Sequence, residues 1–335
     1  MLLPNAMFWK RATTHRGAGK FAAARDFFHR GVAGLLIAGA MFTAMAARAQ
    51  SGVTGGAARR TVAARDIEPV GRIIGVDAQA NRIHQIHANG IAIGYKLIGS
   101  GAPLVMIMGA GETIDHWPPE LIASLARNYQ LILLDNRGIG FTTDQLMLVD
   151  NRSDRKTTAG RQAFTCKLFA DDVMALLDAL GVRQANVLGY GMGSAVAEEL
   201  LVKYPQRLKK AIIYASATDG SQAVQTGPGE TSDDPTVARQ MKAATRWQAP
   251  LDKLSLITNQ VMFVVGTADA AAGVASSKTL AAAVPGAWLV QFKNGAHALM
   301  KQTPAEFARI VLTFLEVDET VEAKQSAPQN PPAMK

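Results

Sequence analysis

The chain has 335 residues, 48% apolar and 19% charged, enough to bury a sizeable core in one α/β domain with extra termini. The net charge of +8 does not point to nucleic acid: residues 1–49 hold seven Lys/Arg against one acid, Asp26, which leaves +2 for residues 50–335 and no support for a phosphate-binding surface. A single cysteine, Cys166, excludes an intramolecular disulfide, and six scattered histidines without HxxxH or CxxC spacing offer no metal site.

In chain order, a basic stretch ending at Arg30 precedes an apolar run from Val32 to about Ala47, closed by the A-x-A site Ala47-Arg48-Ala49. This pattern predicts a signal peptide over 1–49, a mature chain starting at Gln50, and a periplasmic or secreted protein. The run falls short of the roughly 20 residues that span a bilayer, so no stable membrane insertion is expected after cleavage. Residues 50–80 are rich in Gly, Ala and Arg with little periodicity, which reads as a linker or extension.

From Arg82 the pattern becomes that of a domain, expected over 81–318. His84–His87 and Ile91–Tyr95 flank Ala88-Asn89-Gly90, two antiparallel strands with an Asn-Gly turn. Short apolar strands follow at Leu104–Met108, Leu131–Leu134, Asn186–Leu188, Ala211–Tyr214, Val261–Val265 and Trp288–Phe292. Helical spacing occupies Glu120–Arg127, Phe169–Leu180, Met192–Lys203, Thr236–Trp247, Lys278–Ala283 and Pro304–Leu315, the last begun by Thr303 with Pro at its first position. Such alternation predicts an α/β fold, a mostly parallel central sheet with helices on both faces. Residues 219–255 are a short stretch rich in Gly, Ser, Asp and Thr around one helical segment, loop 142–165 is long, and 319–335 read as a disordered tail.

Between the strand Asn186–Leu188 and the next helix lies Gly189-Tyr190-Gly191-Met192-Gly193. The segment resembles the nucleophile elbow G-x-S-x-G of the α/β-hydrolase fold superfamily, in which flanking glycines allow a sharp strand-to-helix turn. The resemblance extends over nearly the whole of residues 88–316 and implies a small cap at about 219–255, with loop 142–165 long enough to cover the opening beside it. Gly109-Ala110-Gly111 sits where that family carries its oxyanion loop, and Asp135-Asn136-Arg137-Gly138-Ile139-Gly140 resembles its D-x-R-G-x-G turn. Gly266-Thr267-Ala268-Asp269 resembles the acid turn, and Gly295-Ala296-His297 the histidine loop. The order 191, 269, 297 is the family's nucleophile, acid, histidine order. The branch of bacterial esterases, lactonases and non-haem haloperoxidases is the nearest in pattern.

The resemblance implies that Asp269 holds the His297 ring, and that the backbone N–H groups of Met192 and Ala110 form an oxyanion hole. Tyr190, His116, Phe141 and Trp247 are candidate substrate-binding residues around a pocket for a small apolar or ester-like molecule. Ser194 lies three residues past the apex inside a helix, which turns it about 300° away. Cys166 reads as a packing cysteine ahead of the helix at Phe169. No cofactor is implied, because no Gly-rich phosphate fingerprint has its acid about 20 residues on, and the oligomeric state is not legible.

Where the family places Ser, Cys or Asp, this chain has Gly191. An acyl-enzyme cannot form without a side chain there. Three readings follow: a His297–Asp269 dyad that activates water or takes a proton from substrate, a non-catalytic small-molecule carrier or sensor, or an ordinary esterase altered at one position.

Overall fold

The computed structural model describes residues 66–144, 163–221 and 233–317. The expected signal peptide, residues 50–65 of the extension, most of the loop 142–165, the middle of the cap and the tail lie outside the described residues.

Nine strands form one sheet: β1 (Arg72–Val76), β2 (Arg82–Ala88), β3 (Ile91–Ile98), β4 (Ala102–Ile107), β5 (Tyr129–Leu134), β6 (Ala185–Tyr190), β7 (Leu208–Tyr214), β8 (Gln260–Gly266) and β9 (Trp288–Phe292). Their spatial order is β1-β2-β3-β5-β4-β6-β7-β8-β9. The first three are antiparallel to their neighbours, and β5 through β9 run parallel, as the alternation required. Strand β1 lies within the extension, where no period-2 pattern announces it; it is an edge strand with exposed Ile73 and Val76. The β2–β3 turn is the expected one, with Asn89 at φ +45° and Gly90 at φ +72°.

The helices are α1 (Pro119–Leu125), α2 (Cys166–Ala179), α3 (Met192–Lys203), α4 (Pro235–Thr245), α5 (Leu251–Leu254), α6 (Val274–Ala283), α7 (Leu299–Gln302) and α8 (Pro304–Glu316). Alternate strand residues feed two cores. Val105, Ile107, Val187, Ile213 and Phe263 pack with α2, α3 and Leu280 of α6 on one face. Leu104, Met106, Leu188, Ile212 and Met262 pack with Leu121 of α1 and with Phe307, Val311 and Phe314 of α8 on the other. Each parallel strand is apolar on both sides because both sides are covered.

Helix α2 begins three residues before the expected start, since Thr165 caps it by accepting from Leu168 N at 3.1 Å. Cys166 is therefore the first helical residue, buried with its Sγ 4.0 Å from Ala243 O. The single-turn helices α5 and α7 are too short to show a period in sequence.

Candidate active site

Gly109–Gly111, Gly191, Asp269 and His297 follow the carboxyl ends of the parallel strands β4, β6, β8 and β9, where open α/β sheets bind ligands. Strand β6 ends at Tyr190, Gly191 turns the chain at φ +56°, ψ −118°, and α3 starts at Met192. The flanking glycines are obligatory. A Cβ at Gly189 would lie 2.2 Å from Gly193 O, and one at Gly193 would lie 2.1 Å from Ile107 O. At Gly191 nothing crowds: a Cβ would meet His297 Nε2 at 3.6 Å and Gly109 Cα at 3.7 Å, ordinary contact distances. Only the positive φ favours glycine there.

The acid and histidine come from neighbouring strand ends. At the end of β8, Gly266 approaches the Gly295 loop so closely that a Cβ would sit 2.0 Å from Gly295 O, and Ala268 N donates to that carbonyl at 2.9 Å. This contact sets Asp269 beside His297, whose Nδ1 lies 3.1 and 3.0 Å from the two carboxylate oxygens. The Asp269 side chain is fully buried and also accepts from Ala271 N and Ala272 N at 2.9 and 3.0 Å. Burial pushes its carboxyl upward, but the hydrogen bonds from His297 and the two amides outweigh it and hold the pKa below the usual aspartate value. The His297 side chain is 38% exposed and its Nε2 faces the apex.

The amides of Ala110 and Met192 donate to no protein acceptor among the described residues. Ser194 is inward, as the helical rotation required: its hydroxyl donates to Gly191 O at 2.5 Å and it is wholly buried.

Of the four expected substrate-binding residues, the structure brings one to the apex. Tyr190 is buried and stacks on Tyr214 at 5.0 Å, with its ring 5.2 Å from that of His297. It backs the histidine. His116 instead stays in its own turn, exposed, with Nδ1 accepting from Thr113 N at 3.0 Å. Phe141 lines a different cavity of about 570 Å³, bounded also by Ile98, Trp117, Ile122 and Leu133, whose walls include none of Gly191, Asp269 and His297. Trp247 packs in the core beyond α4, its indole N–H donating to Glu199 Oε1 at 3.1 Å. Large aromatics near a site are often drawn into packing because their area is worth more there.

Several residues emerge only from the structure. Tyr214, at the end of β7, donates its hydroxyl to the His297 carbonyl and accepts from Met300 N at 3.3 Å. Glu112, just past Gly111, pairs with Lys301 of α7 at 3.0 Å, tying the loop after β4 to the segment that carries His297. Gln240 of α4 is fully buried and reaches Gly111 N at 2.8 Å. A tyrosine closing an apolar strand is a weak sequence signal; a lone Glu or Gln gives none.

A family profile described as alpha/beta hydrolase fold matches residues 102–242. The chain is 32% identical over 127 residues to a putative non-heme bromoperoxidase, BpoC, of Mycobacterium tuberculosis H37Rv, covering 38% of this chain and 42% of that one. It is 28% identical over 148 residues to a 2-hydroxymuconate semialdehyde hydrolase of Pseudomonas sp. CF600, covering 42% and 47%. The chain thus spans less than half the length of these curated relatives. Among solved structures, the enol-lactonase of Burkholderia xenovorans LB400 superposes with a TM-score of 0.57 at 19% identity, over 69% of this chain and 99% of that one.

Proposed function

We propose that this chain, which has the α/β-hydrolase fold and matches that family's model over residues 102–242, is an exported protein that takes a small ester-like molecule at Gly191, with the His297–Asp269 pair as general base. One observation carries the proposal: His297 Nε2 points at the space a side chain on residue 191 would fill, at 3.6 Å from the Cβ position, while Asp269 holds the other ring nitrogen. Serine-type turnover through an acyl-enzyme is closed to Gly191. A water molecule between Nε2 and the substrate carbonyl is the available nucleophile.

In that step Nε2 takes one proton from water as the oxygen bonds to the carbonyl carbon, and Asp269 stabilises the imidazolium. The oxyanion faces the Ala110 and Met192 amides. Collapse breaks the bond to the leaving oxygen, which takes the proton back from His297 and leaves as the alcohol beside the carboxylic acid. No cofactor enters this step. The rate lies far below that of a serine enzyme, since loss of the nucleophile costs about six orders of magnitude and leaves about 10³–10⁴ over water.

The test compares the mature protein, Gly191→Ser, and Gly191→Ser with His297→Ala on short-chain p-nitrophenyl esters, alongside a fluorophosphonate probe. Turnover and labelling gained with serine, and turnover lost again with His297→Ala, support one catalytic site. A folded but inert Gly191→Ser protein rejects it in favour of a binding protein without turnover. Export rests on the leader pattern, and an N-terminus other than Gln50 on the exported protein would overturn the assigned cleavage site.

A further inference from the structure

Helix α4 belongs to the cap, yet it does not stand clear of the hydrolase body. It is docked on the loop after β4, which borders the apex, and on the turn after β5. Gln240 is 0% exposed; its Oε1 accepts from Gly111 N at 2.8 Å and its Nε2 donates to Arg137 O at 2.9 Å. One side chain therefore bridges the oxyanion loop and the turn after β5. The packing around it leaves no slack. A Cβ on Gly111, at φ +75°, would lie 2.9 Å from Val237 Cγ1, and one on Gly138, at φ +83°, would lie 2.4 Å from Thr236 Cγ2. Asp234 caps the helix by accepting from Thr236 N at 2.7 Å, and Arg239 pairs with Asp144 at 2.8 Å while covering the Phe164 ring.

The direction of the Gly111 amide is what matters. Consecutive amides in a tight loop point in linked directions, because the peptide planes are rigid and each residue has only two soft dihedrals. Fixing Gly111 N–H onto Gln240 fixes the plane beside it and limits how the preceding amide, Ala110 N–H, can turn. A buried glutamine with donor and acceptor both used is a costly group to leave half-paired, so the bridge resists opening.

We infer that Gln240 is a positioning residue: from the cap helix it clamps the Gly111 amide and thereby aims the Ala110 amide at the carbonyl oxygen of a bound ester. The inference rests on Ala110 serving as an oxyanion donor, as proposed above. It makes α4 part of the catalytic frame, not a cover that opens and closes over the site.

The experiment has two arms. The first follows amide exchange of ¹⁵N-glycine-labelled protein by NMR in wild type, Gln240→Met and Gln240→Glu. Gln240→Met keeps the volume but removes both bonds, and is expected to speed Gly111 exchange at least 10-fold with little change at the Gly189 and Gly193 amides. Gln240→Glu keeps an acceptor for Gly111 N–H and is expected to restore protection. The second arm measures kinetics of the same changes placed in Gly191→Ser. There Gln240→Met is expected to lower kcat about 10-fold to 100-fold, below the 10²–10³ cost of deleting an oxyanion donor, with KM unchanged within about twofold. Gln240→Glu should recover most of kcat.

Unchanged Gly111 exchange in a folded Gln240→Met protein overturns the inference, as does a loss that falls on KM alone or is equal in both variants. Should Gln240→Met fail to fold, Gln240→Asn, one methylene too short to reach both partners, carries the same expectation. Inert Gly191→Ser protein would defeat the hydrolase proposal, while the exchange arm would still decide the role of Gln240.

Discussion

The imidazole of His297 lies over Gly191 at the distance of ordinary contact: Nε2 would sit 3.6 Å from a Cβ on residue 191, with nothing nearer than Gly109 Cα at 3.7 Å on the other side. The turn leaves room for a side chain at residue 191 beside the histidine while carrying none. Steric fit and backbone strain can therefore be separated at neighbouring glycines of one turn.

Gly191→Ala should cost about 1–3 kcal/mol, the range for a non-glycine residue held at an unfavourable backbone angle, because only φ +56° opposes it. Gly193→Ala should cost more or fail to fold, since its Cβ would press to 2.1 Å from Ile107 O and 2.8 Å from Met108 O, both backbone atoms. Urea melts of the two proteins compare them directly. Equal losses would mean that the turn relaxes, and that close approach does not explain Gly193.

How far the chain announced this site depends on what each residue does there. Gly189, Gly193 and Gly266 are at backbone contacts that only glycine permits, and such positions leave a motif. Asp269 and His297 follow predicted strands, so topology alone carries them to the same end of the sheet. The parallel strands were legible because both sheet faces are covered and their apolar runs are unbroken, whereas β1, α5 and α7 leave no period in the sequence. Tyr214, Glu112 and Gln240 act through hydrogen bonds between segments that are 83, 189 and 129 residues apart. Local pattern cannot show such pairs. Trp247 and Phe141 went astray because an aromatic near a site has the same composition signal whether it faces the pocket or the core.

Tyr214→Phe removes the hydroxyl that serves both the His297 carbonyl and Met300 N. The ring and its stacking on Tyr190 remain. Leaving two buried backbone groups short of a partner should cost about 1–3 kcal/mol. In the Gly191→Ser protein it should also lower kcat, since His297 is no longer anchored through its own carbonyl. A thermal melt and ester kinetics check the two effects separately, and loss of stability with unaltered kcat would confine Tyr214 to packing.

Arg137, whose carbonyl accepts from Gln240, forms a buried pair with Asp172. Arg137 Nε donates to Asp172 Oδ2 at 2.9 Å, its Nη2 donates to Oδ1, and Asn89 Nδ2 adds a bond to Oδ1 at 2.6 Å. Both side chains are 6% exposed. Burial raises the Asp172 pKa against the lowering from Arg137, which marks a carboxylate poorly supported without its partner. Removing one partner strands a charge, so Arg137→Met or Asp172→Leu alone should cost about 3–5 kcal/mol, and the double variant far less. Denaturation of the four proteins of the cycle gives the coupling; additive losses would show the pair to be unimportant.

Glu198 supplies a pH dependence with a definite sign. It lies on α3 two turns beyond Gly191, wholly buried, with Oε1 accepting from Ser216 Oγ at 2.7 Å and Oε2 without a partner among the described residues. Burial, opposed by the Ser216 bond and aided by neighbouring Glu199, pushes its pKa from 4.5 up to about 8. An unfolded chain releases that proton near the ordinary glutamate value, whereas the folded one keeps it until about pH 8. Across that window the folded state binds the extra proton, so stability falls as pH rises, by about 1.4 kcal/mol per unit for one proton, and levels off above the folded pKa. Glu198→Gln removes the titrating group and should flatten this slope. The free-energy difference between variant and wild type should therefore move in favour of the variant from about pH 5 to about pH 8. Guanidinium melts at pH 5, 6.5 and 8 read it, and a difference that does not change with pH would mean that Glu198 is ionised in the folded protein and held by a partner at Oε2.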